Sequence, residues 1–580
     1  MKLIRNTILI AYILIANLSW AQSKKIWVSG AARAVMYGDD YNTNAENDTT
    51  TARKLQSGHA LVDLGVNIQP NDKILIQGMV RIRNDYGGFW GSGVTFDVRQ
   101  LYIKGILGGF LKYQLGDINY KLTDYTFKNN VGLINKYGGV LTTVPLEQVQ
   151  YDLFYMNDNT WRQQGAAIDF ALQFDEVIEE AEFNLFTSRV RAAGNGQDDR
   201  LYSGGSITLV QSERLKIGGN FANLYDYAGT SNNTIYLKNP VYTGVAEYNR
   251  KVKNTHLMAA LETGVSKLEW QGDEAAPVLK DYFYDVNLKA AWVKTGISVT
   301  AGYRDVGPNF RSAGAQTMQV NYQRAPRAYQ RYGNDQNVRA ITMMDMYRDA
   351  SLYQTQIVAG LMTYDPRYDN ATPYGRATPN RKGFNVLFDY EDTDGRWNVG
   401  VDAELLTDVV GQGTTTLKNY NTGSVFAELR LNKLFNWEER KVWISGRYGM
   451  QDTKRSGEQA YEEIDLATRF QDLNLTATLF GDLELIAQYR IWQTKGDELV
   501  AERNSYSEVI DYSEYSIDYN ESILGAGLQY GFTEKTNLRF MWQTFAWEDQ
   551  QFAAKTDSEA AVGSMPYNIN TWTLFFTMKF

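Results

Sequence analysis

Few residues of this chain could do chemistry. Among its 580 residues there is no cysteine, and the two histidines are His59 and His256. Without cysteine, disulfides and thiolate metal sites are impossible, and two histidines nearly exclude a histidine-rich metal site. Neither histidine lies in a GxSxG or HExxH motif, and we interpret both as rim or interfacial residues at strand edges. The carboxylate pairs Glu179–Glu180 and Glu462–Glu463 are interpreted as solvated turn charges. The sequence therefore predicts no enzyme, no catalytic or metal-binding residue and no cofactor.

Arginine is concentrated in one polar segment, from Arg311 to Arg348. The segment holds six arginines and four tyrosines against two aspartates, in a chain whose net charge is −9. Guanidinium groups bind carboxylate and phosphate well, so this is a candidate anion site. Three interpretations stay open. The segment folds into an internal cavity and attracts anions there through Arg324, Arg327 and Arg331; it binds lipopolysaccharide phosphates or a partner at the surface; or it is a solvated loop with arginine stacked on tyrosine.

Two further polar segments have a distinctive composition. Residues Asp365–Lys382 hold three prolines and four basic residues, and they predict a stiffened, extended cap. Residues Ser507–Glu521 carry five carboxylates and three tyrosines. Clustered oxygen ligands can hold calcium, but their spacing here is irregular, so a plain acidic loop is favoured.

The N-terminus predicts export. Lys2 and Arg5 precede the nine-residue apolar run Ile8–Ala16, and Ser19 and Ala21 are small residues at the spacing that signal peptidase needs. We expect residues 1–21 to be a cleaved signal peptide, with cleavage before Gln22 and residues 22–580 forming a single domain. Removing the two positive charges takes the net charge from −9 to −11, which argues against a basic nucleic-acid-binding protein.

The elements that must position these residues alternate with a period of two. In LELIAQYRI, the alternate residues Leu485, Ala487 and Tyr489 oppose Gln488 and Arg490. Successive strand side chains point to opposite faces, so each segment is a strand with one apolar and one mainly polar wall. The parity of a residue, that is, whether it falls on the odd or the even positions of its strand, decides which wall it faces. It assigns the following charged residues to the polar wall: Arg81, Arg83, Arg99, Lys289, Arg304, Arg430, Arg447, Arg490 and Arg539, with Asp285, Asp402, Glu404, Glu428 and Glu484.

Such strands fit either a soluble sandwich or a membrane barrel. The segments are about ten residues long, as a tilted bilayer-crossing strand requires, and aromatic rings lie near their ends. Tight connections such as Gln69–Lys73 alternate with long polar ones such as Tyr225–Asn254, Thr494–Asn520 and Asp549–Asn568. The sequence therefore predicts an all-β, antiparallel, up-and-down transmembrane barrel of about 18 strands, within roughly 16 to 22, with long extracellular loops.

This organisation resembles the outer-membrane β-barrels of Gram-negative bacteria. The final strand TWTLFFTMKF, with Trp572, Phe576 and Phe580, is similar to the signal that the barrel-assembly machinery recognises in that family. The Ala–Gln cleavage site and the strands rich in tyrosine and asparagine resemble barrels of Bacteroidota. Because alternation begins almost at once, near Ile26, the resemblance implies a porin-like barrel without an N-terminal plug. It also implies residence in the outer membrane, in contact with its lipid and lipopolysaccharide.

Two functions remain open at this stage. A barrel of some 18 strands is too wide for side chains to fill, which favours a passive channel whose selectivity depends on Arg81, Arg83, Arg490 and Glu404 together with Arg324, Arg327 and Arg331. The alternative is a scaffold or surface receptor whose long loops bind a protein partner.

Overall fold

The computed structural model describes residues 25–43, 53–86, 94–127, 139–141, 163–175, 177–315, 371–372, 375–437, 440–503, 509–549 and 567–580. These residues form 22 β-strands. In chain order the strands are β1 (Lys25–Thr43), β2 (Arg53–Asn71), β3 (Ile74–Asp85), β4 (Val94–Leu107), β5 (Leu111–Ile118), β6 (Gln163–Gln173), β7 (Glu180–Arg191), β8 (Asp199–Val210), β9 (Leu215–Tyr227), β10 (Tyr236–Val252), β11 (Thr255–Gln271), β12 (Leu279–Trp292), β13 (Ile297–Val306), β14 (Arg381–Glu391), β15 (Trp397–Thr407), β16 (Asn419–Arg430), β17 (Val442–Arg455), β18 (Ile464–Phe480), β19 (Leu483–Arg503), β20 (Val509–Thr533), β21 (Thr536–Asp549) and β22 (Tyr567–Lys579).

The strands close into a barrel. Each one pairs antiparallel with the next, and β22 returns to pair with β1 from Ala31↔Lys579 to Thr43↔Tyr567. Beyond β22, the backbone groups of Phe580 and Gly30 exchange two hydrogen bonds of 3.0 Å. Closure leaves no unpaired sheet edge around the ring, which is the usual way for a large antiparallel sheet to avoid aggregation. Trp572 and Phe576 lie on β22, in register with Trp542 and Leu538 of β21.

The architecture confirms the predicted closed antiparallel barrel, but the number of strands is 22 rather than about 18. One strand lies wholly, and two others lie in part, in segments predicted to be loops. Strand β10 falls inside Tyr225–Asn254, and Thr494–Asn520 contains the end of β19 and the start of β20. The acidic segment Ser507–Glu521 is therefore mostly strand, not loop. Its alternation is hidden because tyrosine and carboxylate residues stand at both odd and even positions of the sequence.

The two ends of the barrel differ. The connections at residues 72–73, 253–254, 293–296 and 534–535 are tight, and all lie at the end where β1 begins and β22 ends, which we call the turn rim. The opposite end, the loop rim, carries the long connections, among them 119–162 and 307–380. Because β13 pairs directly with β14 from Val306↔Arg381, residues 307–380 are one connection and not the two separate loops that the sequence suggested.

The two faces of the wall follow the parity predicted from the sequence. On β19, Gln488 is buried on the inner face, where its amide donates to Asp472 at 2.9 Å, while Tyr489 is exposed on the outer face. The outer face carries many exposed large apolar side chains, including Leu64, Leu185, Leu288, Val425 and Leu473. A continuous exposed apolar surface of this kind is typical of a wall that contacts lipid.

Helical structure in the described residues comprises one short α-helix, α1 (Leu431–Leu434), the helical residues Val140 and Leu141, and 3-10 turns at Ala313–Ala315, Gly375–Ala377 and Ala460–Glu462. In the part of the chain that the structure describes, no helix is both long and apolar enough to cross a membrane.

Candidate lumenal site

The inner wall carries the charged residues that parity placed there, and most of them are paired. Arg81 donates to both carboxylate oxygens of Asp63 at 2.7 Å, and Arg83 donates to Asp85 at 2.9 Å. Arg304 forms a two-bond ion pair with Glu404, at 3.0 and 2.9 Å. The guanidinium of Arg490 lies over the ring of Phe470, 4.8 Å from its centroid. The wall therefore presents neutralised pairs, with both signs of charge alternating along it.

Part of the connection between β5 and β6 folds onto this wall. Thr123 and Thr126 form a tight turn, with the Thr126 amide donating to the Thr123 carbonyl at 3.3 Å. The turn directs Tyr125 inward, where its ring stacks on Phe283 of β12 at 3.8 Å between centroids. The Tyr125 hydroxyl donates to Asp285 at 2.5 Å. Burial, and then the charge of Asp285, raise the pKa of Tyr125 well above its ordinary value. The phenol therefore stays protonated and donates its hydrogen to the Asp285 carboxylate.

The start of the connection between β13 and β14 packs against the same part of β12, around Phe283. Phe310 packs edge-on against Phe283, with ring centroids 5.1 Å apart. Ser312 donates to the carbonyl of Thr126 at 3.2 Å, so the two connections contact each other. Arg311, the first arginine of the basic segment, is 3% exposed, and one of its guanidinium nitrogens donates to the carbonyls of Pro308 and Phe310. The candidate selectivity residues Arg324, Arg327 and Arg331 lie outside the described residues.

The end of the connection between β13 and β14 also contacts Asp285 and completes a cluster of side chains around it. Arg376 donates to both oxygens of Asp285 at 2.7 to 2.9 Å, and to Asn287 at 3.2 Å. Burial acts to lower the pKa of Arg376, but Asp285 and Tyr125 together raise it above its ordinary value. The described part of Asp365–Lys382 is thus not an extended cap, because Arg376 reaches down to the inner wall. Asp285 anchors two connections that are far apart in sequence.

The connection between β5 and β6 also makes contacts on opposite sides of the lumen. Phe127 packs on Phe186 of β7 and Tyr202 of β8, with ring centroids 5.3 and 4.8 Å away. Leu141 packs on Ile486 of β19 and Met541 of β21. Strands β8 and β19 are eleven apart in a ring of 22, so they stand opposite each other. Described residues of one connection therefore contact both sides of the barrel.

These contacts leave the lumen unevenly filled. Inner-face residues of β18 to β22 are mostly buried, for example Asp472, Gln488, Arg539, Gln543 and Thr571. Nearer the turn rim, the inner faces of β4 to β17 carry exposed or half-buried residues. These residues are Lys104, Lys112, Asp169, Lys216, Glu247, His256, Lys289, Thr300, Leu387, Asp389 and Glu428. We call this space the vestibule. It is polar, of mixed charge, and bounded towards the loop rim by the cluster around Asp285.

The histidines differ from the sequence interpretation in one respect. His256 is exposed near the turn rim, whereas His59 is 1% exposed on the inner wall and accepts a hydrogen bond from Arg33 at 3.0 Å. His59 is therefore a buried residue of the inner wall, at the level where β3 ends at Asp85. Within the described residues, no group of three or more histidine, cysteine, aspartate or glutamate side chains is placed to hold a metal ion.

Glu462 is not a plain solvated turn charge either. Its carboxylate accepts hydrogen bonds from Thr414 and Thr416 in the connection between β15 and β16, and from the Glu458 amide at 2.8 Å. The Thr414 hydroxyl and then the Gln459 backbone lower the pKa of Glu462 to about 2. Two neighbouring connections at the loop rim are thereby joined.

Sequence reasoning placed Asp285 on the inner face but missed its partners. Tyr125 and Arg376 are 160 and 91 residues away from it. The available signal was an acidic residue on the polar wall, two positions from Phe283 on that same wall. A charge beside a large ring on a water-facing wall indicates that something covers the site.

Comparison with known proteins gives no family. No protein-family model matches the chain, and no curated protein matches its sequence. Among solved structures, the translocation pore of the P pilus usher PapC gives a TM-score of 0.36 at 9% identity, covering 94% of this chain and 99% of that chain. OccK3 (OpdO) of Pseudomonas aeruginosa gives 0.36 at 7% identity, covering 95% and 96%. OccK8 (OprE) of the same organism gives 0.35 at 8% identity, covering 95% and 98%. Scores this low carry no argument, so the architecture rests on the strand pairing itself.

Proposed function

We propose that this chain is an outer-membrane β-barrel that passes small polar solutes through a lumen narrowed by its own connections. The observation that carries the proposal is a closed ring of 22 strands with an apolar outer face and a charged inner face. A soluble barrel would have no reason to expose large apolar side chains on most of its strands, whereas a lipid-facing wall requires them.

The bore we propose is narrow. An empty lumen within 22 strands would be wider than that of most porins, and barrels of this size are usually filled by part of their own chain. Here the segments at 119–127, 307–315 and 375–380 cover the inner wall towards the loop rim. The vestibule, with its mixed charge, supports passage of small polar solutes and favours no single sign of charge.

Placement in the outer membrane belongs to the proposal. Residues 1–21 would be a signal peptide cleaved before Gln22, and β22 with Trp572, Phe576 and Phe580 would be the signal read by the barrel-assembly machinery. The aromatic strand that closes the ring through Phe580 supports that role. Outer-membrane lipid and lipopolysaccharide would surround the barrel, and we propose no enzymatic activity and no nucleic-acid partner. The roles of Arg324, Arg327 and Arg331 in anion preference, and the affiliation with Bacteroidota, also remain proposals.

Planar-bilayer conductance tests the channel. We expect the wild-type barrel to show small, steady steps. Tyr125→Ala, Phe310→Ala and Arg376→Ala together remove the anchors around Asp285 and should enlarge the steps several-fold. The matched control, Tyr242→Ala with Phe384→Ala and Arg396→Ala, changes the same residue types outside the cluster and should leave the steps unchanged. A correctly folded barrel that is silent in both forms would refute the channel.

One observation favours a second function, a scaffold that binds a protein partner. Strand β19 pairs with β18 only as far as Glu498, and β20 pairs with β21 only as far as Tyr519. Beyond these points the two strands pair only with each other, up to Arg503↔Val509. This two-stranded ribbon projects past its neighbours at the loop rim, and its unpaired strand edges could accept a partner strand. A silent barrel that co-purifies with a protein and loses it when residues 499–518 are deleted would support this alternative.

A further inference from the structure

A groove lies on the outer face of β10 to β13, close to the turn rim. Its volume is about 440 Å³, and its lining is almost entirely apolar. Strand register explains its shape. Tyr248, Ala259, Leu288 and Ala301 form one row across the four strands, and the next row contains Leu257, Ala290 and Val299. Alanines alternate with large side chains in both rows, so the wall is concave there.

An arginine stands at one end of the second row. Arg250 is two positions after Tyr248, so it points outward, and it is in register with Leu257 of the groove. It is exposed, and among the described residues its side chain makes no ion pair or hydrogen bond. A cation on the outer wall of a barrel is costly inside the hydrocarbon, but near the interface it can contact phosphate.

The neighbouring turns add charge of the same sign. The connections after β10 and β12 contain the exposed residues Lys253 and Lys294, and neither connection contains an acidic residue. Trp292 lies one row nearer the turn rim than Arg250, Tyr248 lies one row farther from it, and both rings are partly exposed on the outer face. Tryptophan and tyrosine collect at the level of the lipid headgroups, which places Arg250 and Lys294 at that level too.

We propose that this groove binds one anionic phospholipid of the leaflet that faces the turn rim. An acyl chain occupies the apolar groove, and the phosphate lies between Arg250 and Lys294. The groove alone would accept any acyl chain, but basic residues near a membrane surface each favour an anionic lipid by about 1 kcal/mol. The inference rests on the membrane placement proposed above and is independent of whether the barrel conducts.

Native mass spectrometry of the barrel released from nanodiscs tests the site. The probes are phosphatidylglycerol and phosphatidylcholine with identical acyl chains. We expect the wild type to retain one phosphatidylglycerol about thirtyfold more often than phosphatidylcholine, as two interfacial charges of about 1 kcal/mol each predict. Arg250→Gln with Lys294→Gln should abolish that preference. The matched control, Lys73→Gln with Lys535→Gln, neutralises two exposed lysines in other turns of the same rim and should keep it.

A second pair of variants separates the groove from the charges. Ala259→Leu with Ala290→Leu fills the groove with lipid-compatible side chains, so retention of both lipids should fall to the background. Ala403→Leu with Ala427→Leu makes the same change elsewhere on the outer face and should have no effect. Equal retention of the two lipids by the wild type, unchanged retention in the filled variant, or a dimer in place of the lipid-bound monomer would each overturn the proposal. Conductance measured on the same preparations reports on the channel separately.

Discussion

Asp285 is the residue on which most of the lumenal arrangement depends. It is 3% exposed and accepts hydrogen bonds from Tyr125, Arg376 and Asn287. A buried carboxylate is tolerated only when its hydrogen bonds are satisfied, and removing its charge leaves the partners unsatisfied. The side chain therefore acts as a clamp between the wall and two connections.

We expect Asp285→Asn to release the segment around Arg376. Arg376 is partly exposed, so the lost ion pair is worth about 1–3 kcal/mol, enough to expose the segment about 5 to 150 times more often. Since the chain has no cysteine, Ala377→Cys gives a single reporter at a residue that is 5% exposed. Its maleimide labelling rate should rise in Asp285→Asn. Asp518→Asn, which breaks the exposed Lys495 pair, should leave it unchanged; equal rates in all three proteins would contradict the clamp.

Glu462 gives a prediction about pH. Its pKa is lowered in the folded protein from 4.5 to about 2. A lowered folded-state pKa means that the carboxylate stabilises the contact above its unfolded value, and that this stabilisation is lost as the pH falls from about 4.5 through about 2. Hydrogen exchange of the connection at residues 408–418 should therefore increase over that interval. In Glu462→Gln the same connection should exchange faster at neutral pH and lose the acid dependence.

At the scale of the strand, parity is the feature that the sequence predicts well. The period of two placed Arg81, Arg304, Glu404 and Arg490 on the inner wall correctly, because a strand that faces lipid and water must alternate. The sequence did not predict strands in segments where apolar and polar residues do not alternate. Strand β10 contains Pro240 and has tyrosines on its outer face, and the start of β20 pairs only with β19, beyond the pairing with β21 that ends at Tyr519. The contacts of Tyr125 and Arg376 could not be predicted, because they depend on barrel closure and not on local pattern.

Parity itself can be tested on one strand. Leu185 of β7 is 49% exposed on the outer face near the middle of the strand, and Asn184 beside it points inward and donates to Ser206 at 3.0 Å. Arginine at a lipid-facing midplane position costs about 2–4 kcal/mol. Leu185→Arg should therefore reduce the heat-modifiable, folded fraction on a gel, whereas Asn184→Arg should assemble almost normally. Equal assembly of the two variants would argue against a lipid-facing outer wall.

At the scale of the whole molecule, one connection binds both sides of the ring. The residues before and after 128–138 pack on β7 and β8 at one side and on β19 and β21 at the other. Gly139 lies so close to Asn474 of β18 that no side chain would fit between them. Contacts on opposite walls stiffen a wide ring against flattening, and they also divide its lumen. The barrel and its contents therefore stabilise each other.

Crosslinking tests this arrangement. Because the chain has no native cysteine, only the introduced cysteines can react. Leu141→Cys with Met541→Cys places two thiols within one apolar cluster, and Tyr125→Cys with Phe283→Cys does so at the opposite side. A short bismaleimide should join each pair and shift the denatured barrel on a gel, because linking residues 158 or 400 positions apart makes the unfolded chain more compact. The mismatched pair, Tyr125→Cys with Met541→Cys, combines one position from each side and should not crosslink. Efficient crosslinking of the mismatched pair, or none in the pair at Leu141, would show that the connection does not contact both walls.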